Sequence, residues 1–176
     1  MPNSMPNPAR IEKAAMLTIG DAAPDFTLND ETGKPVSLVS LLASGPVVLY
    51  FYPADFTPVC TAEACMFRDW TAELGAAGVR VIGISPQGTE SKQKFKQKHA
   101  LSFPLLADPE KAVIRAYGAS FLFGMFTRRV TYLIEPVKAS SAPGIVSDRA
   151  VADLTVKPHE AFVKRVLAKH ASGQRA

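Results

Sequence analysis

The sequence predicts an α/β protein with a central mixed β-sheet flanked by helices, on three observations. Short apolar runs rich in β-branched and aromatic residues, at 47–52, 79–85 and 130–134, have the length of buried strands. They alternate with longer spans at 58–76, 89–99 and 158–170 whose apolar residues recur near helical spacing. No internal repeat, heptad pattern or long low-complexity segment interrupts this alternation. One domain over residues 17–171 is therefore expected, with flexible tails at 1–16 and 172–176.

Taken in order, the chain first gives two short strands around the turn Asp30 to Gly33, an N-terminal β-hairpin ending near Leu38. The run Val47 to Tyr52 reads as a buried strand. The span 58–76 reads as a helix with Val59, Ala62, Met66, Trp70 and Leu74 on its apolar side, ended by Gly75 and Gly78. A second strand at 79–85 leads to an amphipathic helix at 89–99, opened by Thr89. Asp108 and Pro109 open a predicted helix that stops at Gly118. A third core strand at 130–134, a fourth somewhere in 145–155 and a last helix at 158–170 complete the list.

Composition narrows the function. At 176 residues, 47% hydrophobic and 20% charged, the chain is that of an ordinary soluble globular protein. Its apolar runs are too short to cross a bilayer, so no membrane partner is expected. The N-terminus lacks a positively charged start followed by an apolar core, which makes a cytoplasmic location the expectation. The net charge of +4 is modest. Lys92, Lys94, Lys96 and Lys98 share one predicted helix, no compact basic block interleaved with aromatics appears, and no nucleic-acid partner is expected. Two cysteines are too few for a disulfide framework and too few for a metal centre with distant histidines. No metal or cofactor is predicted. His99, His159 and His170 read as solvated surface groups, and Trp70 as core.

The chemistry concentrates at Cys60. The segment 52–60 follows a core strand and precedes a helix, at the sheet edge where α/β proteins bind ligands. Cys60 falls in the first helical turn, where unpaired N–H groups and the helix dipole favour an anion. An unperturbed thiol is only roughly 3% ionised at pH 7, and the thiolate is the nucleophile, so such a position matters. Thr57 offers a hydroxyl to a ligand at the thiolate, and Pro53 fixes the loop and shields the thiolate.

Pro53, Thr57 and Cys60, in the pattern Pro-x-x-x-Thr-x-x-Cys, resemble the active-site motif of the peroxiredoxins. Gly20-Asp-x-Ala-Pro-Asp-Phe26, Val48-Leu-Tyr-Phe-Tyr-Pro53 and Phe103-Pro-Leu-Leu-Ala-Asp-Pro109 extend the resemblance over nearly all of 17–170. Cys60-Thr-Ala-Glu-Ala-Cys65 is similar to the bacterioferritin-comigratory, or Q-type, subfamily. The resemblance implies a thioredoxin-like fold and a peroxidase for hydrogen peroxide and alkyl hydroperoxides. It implies Cys60 as peroxidatic nucleophile, Cys65 as resolving thiol, thioredoxin or a similar dithiol as reductant, and a monomer. It also implies an arginine that contacts thiolate and peroxide, aligned with Arg129, and an acidic residue that holds it, aligned with Glu63. Strand alternation sends Arg128 and Arg129 to opposite faces, so only one points at the site.

Five residues along an α-helix separate Cα atoms by roughly 8–9 Å, beyond disulfide reach, so the helix between Cys60 and Cys65 has to unwind for the two to join. Two other functions stay open at this point: a one-cysteine peroxidase with Cys65 as bystander, and a non-catalytic thioredoxin-fold binding or chaperone module. The apolar stretch 121–126 is expected to pack into the protein, with the lip of the site as its other reading. The stretch 135–144 departs from the short acidic turn the family shows there.

Overall fold

The computed structural model describes residues 15–138 and 141–171. The expected hairpin is β1 (Thr27–Asp30) and β2 (Pro35–Ser37), antiparallel, with the Asp30 carboxylate accepting from the backbone N–H groups of Thr32 and Lys34 to close the turn. A short helix α1 (Leu38–Leu42), capped by the Ser37 hydroxyl, leads into β3 (Val47–Phe51). Then follow α2 (Pro58–Ala76), β4 (Arg80–Ser85), α3 (Thr89–His99), β5 (Leu105–Ala107) and α4 (Ala112–Ala116). A two-stranded ribbon, β6 (Ser120–Phe121) and β7 (Phe126–Thr127), precedes the hairpin β8 (Val130–Pro136) and β9 (Gly144–Val151), and α5 (Lys157–Ala171) ends the domain.

Seven strands form one sheet in the order β2-β1-β5-β4-β3-β8-β9. The inner β5-β4-β3 pairs are parallel and the outer pairs antiparallel, which makes the sheet mixed. Alternation along β3 divides the core between two faces. Val47, Leu49 and Phe51 face α1 and α4, packing with Leu38, Leu41, Ile114 and Tyr117. Val48 and Tyr50, with Tyr52 beyond the strand, face the layer of α2, α3 and α5, packing with Cys60, Phe67, Phe95 and Phe162. Gly83 on β4 makes room for this second layer, because a Cβ there would lie 2.7 Å from the Tyr50 ring.

Several expectations shift. The helix predicted from Asp108 begins only at Ala112, because Lys111 takes left-handed backbone (φ 56). Asp108 still serves the helix start, its carboxylate accepting from the N–H groups of Ala112 (3.1 Å) and Ile114 (2.8 Å). The α2 bounds agree with the sequence reading, but its buried stripe is Cys60, Glu63, Ala64, Phe67 and Leu74. Ala62 is exposed and Val59 only half-buried. A glutamate and a cysteine on the inner face hide the true stripe from apolar patterning. Gly88, not Thr89, caps α3.

The fourth strand runs from Gly144 to Val151 with an irregularity opposite Leu133 and Ile134. The stretch 135–144 thus forms the end of the β8–β9 hairpin, with residues 139–140 outside the described residues. Of the expected tails, residues 1–14 and 172–176 lie outside the described residues. Met16 and Leu17 already pack against the core. Gly118 (φ 67) lets the chain pass there, since a Cβ would sit 2.4 Å from the Met16 Cα. No described helix is long and apolar enough to cross a membrane.

Candidate active site

β3 delivers the chain to a six-residue loop and then to the start of α2. Phe56 adopts left-handed backbone (φ 67), Thr57 is the N-cap in extended backbone and Pro58 occupies the first helical turn. The Thr57 hydroxyl donates to the Ala54 carbonyl (3.1 Å), so no side chain caps this end. Pro58 has no N–H, and those of Val59 and Cys60 have no intrahelical acceptor. The positive end of α2 is therefore left for negative charge at Cys60.

Arg129 meets Cys60 from the neighbouring strand. It precedes β8, shares a sheet face with Thr131 and Leu133, and its Nη2 donates to the Cys60 sulfur at 3.3 Å. Its Nη1 forms an ion pair with Glu63 Oε2, and both side chains are buried. A further bond holds the fork, Nε donating to the Asp153 carbonyl (3.4 Å), while the Arg129 backbone N–H donates to Asp153 Oδ1 (3.0 Å). Arg128 instead lies 5.4 Å from the Phe121 ring, away from the sulfur. Burial pushes the Glu63 carboxyl up to about 7, against the opposing charge of Arg129. Glu63 also sits three residues past Cys60, one turn along α2, so its carboxylate orients the guanidinium rather than favouring the thiolate.

Behind Glu63 stands His159, which the sequence reading had placed at the surface. The structure buries it completely on α5. Its Nδ1 lies 2.9 Å from the Thr131 hydroxyl and 3.7 Å from Glu63 Oε1, and Nε2 lies 3.2 Å from the Ala152 carbonyl. A neutral ring donating from Nε2 to Ala152 and accepting at Nδ1 from Thr131 satisfies both ring nitrogens and leaves Glu63 Oε1 without a hydrogen bond. Phe162, Val163 and Val166, three, four and seven residues on, were the signal that His159 lies on the apolar stripe.

Burial holds the His159 imidazole down to about 4, below its ordinary 6.5. As pH falls through 6.5 the unfolded chain gains a proton that folded His159 refuses, so stability drops until about pH 4 and then levels, by about 3 kcal/mol. Glu63, raised in the fold, titrates in the opposite sense over the same range. The His159 component is thus read as the difference between wild type and His159→Gln in chemical denaturation at each pH. Wild type should lose ground to the variant as acid is added; parallel curves would contradict the assignment.

A second buried network grips the loop before Cys60. Lys92, one of the four lysines on α3, is fully buried there with Phe95. Its ammonium lies 3.6 Å from Asp55 Oδ1 and donates to the Tyr52 hydroxyl (3.3 Å) and to the Ser85 hydroxyl. Asp55 accepts from Tyr52 (2.6 Å) and from Ser91 (2.7 Å). Gln87 accepts from the Asp55 N–H (3.2 Å) and donates to the Pro53 carbonyl (3.2 Å). Pro53 and Thr57 thus sit on a segment pinned to both β4 and α3. Burial lowers Lys92 to about 8, with Asp55 the strongest opposing influence. Lys92→Met should cost about 3–5 kcal/mol, because it leaves Asp55 buried without its cation. Adding Asp55→Asn should return most of that loss, and equal denaturation midpoints for single and double variants would count against the pairing.

Cys65 lies further along the same unbroken α2, half-buried, and both cysteines are free thiols. The contacts thus join Cys60, Arg129 and Glu63, with Thr57 as the N-cap three residues before Cys60, Pro53 on the pinned loop and Cys65 on the next turn and a half of helix. Among the described residues, no group of three His, Cys, Asp or Glu side chains is placed to hold a metal ion.

Residues 19–139 match the family model described as the AhpC/TSA family. The chain belongs to that family. A chloroplastic peroxiredoxin Q of Sedum lineare is 46% identical over 122 residues, covering 69% of this chain and 65% of that protein. The match therefore spans just under two thirds of that relative. Among solved structures, peroxidoxin BcpB of Mycobacterium tuberculosis superposes with a TM-score of 0.77 at 33% identity, covering 91% of this chain and 99% of that one. The bacterioferritin comigratory protein of Xanthomonas campestris, described for alkyl peroxide reduction, gives 0.74 at 27% identity, covering 89% and 99%. The thioredoxin-like fold of this family is the fold described above, and the chain stands among its Q-type peroxiredoxins.

Proposed function

We propose that this peroxiredoxin is a thiol peroxidase in which Cys60 reduces hydrogen peroxide and alkyl hydroperoxides, Cys65 resolves the product and a thioredoxin-like dithiol completes the cycle. The observation that carries the reading is Arg129, held by Glu63 and Asp153 with its free Nη2 at the Cys60 sulfur. A guanidinium fixed in this way favours negative charge on the sulfur. It can also follow that charge to the leaving oxygen without rearranging.

The thiolate attacks the terminal peroxide oxygen, an S–O bond forms and the O–O bond breaks. The sulfur gives up two electrons and becomes a sulfenic acid, while the departing alkoxide or hydroxide takes a proton and leaves as alcohol or water. Thr57, whose proton is given to Ala54, keeps its lone pairs to accept from the peroxide O–H. The Cys65 thiol then displaces hydroxide from the Cys60 sulfur, giving a disulfide and water, and an external dithiol reduces that bond by exchange.

The continuous α2 between the cysteines means that its first turns open before the disulfide forms. Phe56, with left-handed backbone between the pinned Asp55 and the N-cap, is the natural pivot. Cys65→Ser separates the steps. The first oxidation should proceed at the wild-type rate in a single turnover, while thioredoxin-dependent turnover is lost. Full recycling of the variant by thioredoxin would overturn Cys65 as the resolving thiol, and recycling by a monothiol alone would establish the one-cysteine cycle. The reading takes the protein as a cytoplasmic monomer, where a reducing environment keeps both thiols free.

A further inference from the structure

The tip of the ribbon β6–β7 does not pack into the domain, although Thr127 at its base is buried. Phe121, Leu122, Phe123, Met125 and Phe126 are all exposed, Phe123 completely. The expectation of plain packing for 121–126 fails for a physical reason. Leu122, Phe123 and Gly124 all take left-handed backbone (φ 52, 56 and 83), which turns the chain back on itself and projects the side chains outward. Leu and Phe do not choose that conformation by themselves. Soluble proteins scatter exposed apolar residues singly, and here five stand within six residues.

Cations ring the base of this tip. The Lys111 ammonium donates to the carbonyls of Gly124 (3.1 Å) and Met125 (2.9 Å), and Arg128 stacks on Phe121. Arg115 is exposed on the last turn of α4. The acidic groups on this side are largely engaged: Asp108 caps α4 and Asp153 receives the Arg129 N–H, with Glu110 exposed beside Lys111. A further exposed apolar residue, Leu154, follows Asp153 directly, on the strap tied to Arg129 by the Ala152 N–H donating to its carbonyl.

We propose that the 120–127 ribbon is an anchor that seats the protein on an anionic lipid surface. Leu122 and Phe123 enter the boundary of the acyl chains, with Lys111, Arg115 and Arg128 at the headgroups. A convex apolar tip needs a matching pocket in a protein partner, whereas a bilayer accommodates it without one. Cations behind an apolar tip fit the negative potential of such a surface. The ribbon ends two residues before Arg129, so a seated protein holds Cys60 beside the interface. On the peroxidase reading above, this makes hydroperoxides of lipid chains its substrate class. The anchor revises the composition-based expectation of no membrane partner, without any spanning segment.

The test is flotation of the full chain with vesicles of phosphatidylcholine alone or mixed with phosphatidylglycerol. Flotation reads binding without turnover, so its outcome is independent of whether the peroxidase reading holds. Wild type should float with the anionic vesicles, less with the neutral ones and less as salt increases. Leu122→Ser with Phe123→Ser should weaken binding by about a hundredfold and leave reduction of hydrogen peroxide unchanged. Wild type that stays off anionic vesicles would overturn the proposal, as would flotation insensitive to the two substitutions. A wild-type dimer in sedimentation that the same substitutions split would assign the ribbon to a second copy of the chain instead.

Discussion

Arg129→Ala should lower the rate constant for oxidation of Cys60 by peroxide by about 10²–10³, the usual effect of removing one fixed donor from developing negative charge. Stopped-flow or competition kinetics measures it directly. The substitution has a second cost. Glu63 is fully buried, and its Oε2 then faces no cation, so about 3–5 kcal/mol of stability should go as well. Arg129→Ala in a Glu63→Gln background separates the two effects: stability returns and the slow oxidation stays. Arg129→Lys keeps charge but loses the fork that reaches Glu63 and Cys60 together, and should fall between. Arg128→Ala, whose guanidinium lies on Phe121, should oxidise at close to the wild-type rate. Equal effects at 128 and 129 would contradict the geometry.

Cys60→Ser should remove peroxide turnover altogether. Serine matches the size of the buried side chain, so Arg129 and Glu63 keep their places and the fold is preserved. What is lost is the nucleophile, because a hydroxyl is not appreciably ionised at neutral pH and an oxygen cannot form the sulfenic acid. Unchanged denaturation with no peroxide consumption is the expected pair of results. Residual turnover at a tenth of wild type would place the reacting group elsewhere.

Much of this site was legible in the sequence because its residues carry both chemistry and local signals. Cys60 follows a strand that is apolar throughout, and Pro58 marks the helix start beside it. Arg129 and Glu63 are legible through resemblance and strand alternation, and the structure joins Arg129 to the sulfur and Glu63 to Arg129. Lys92 and His159 were not legible. A lysine in the run Lys92-x-Lys94-x-Lys96-x-Lys98 looks solvated until Asp55, 37 residues earlier, is brought against it. His159 looks like a surface group for the same reason, since Thr131 and Ala152 satisfy it only in the fold. The stripe of α2 was misplaced by one face because Glu63 occupies a core position that hydrophobic patterning reserves for apolar residues. The exposure of 121–126 is a property of three consecutive left-handed residues, which composition does not announce.

The most direct test of the central claim is the mass of the intact protein after one equivalent of hydrogen peroxide, for wild type and for Cys65→Ser. A wild type that loses two hydrogens, beside a variant that gains one oxygen, is the predicted result and identifies a Cys60 sulfenic acid resolved by Cys65. No change of mass in either protein would contradict the assignment of Cys60 as a peroxide-reducing thiolate.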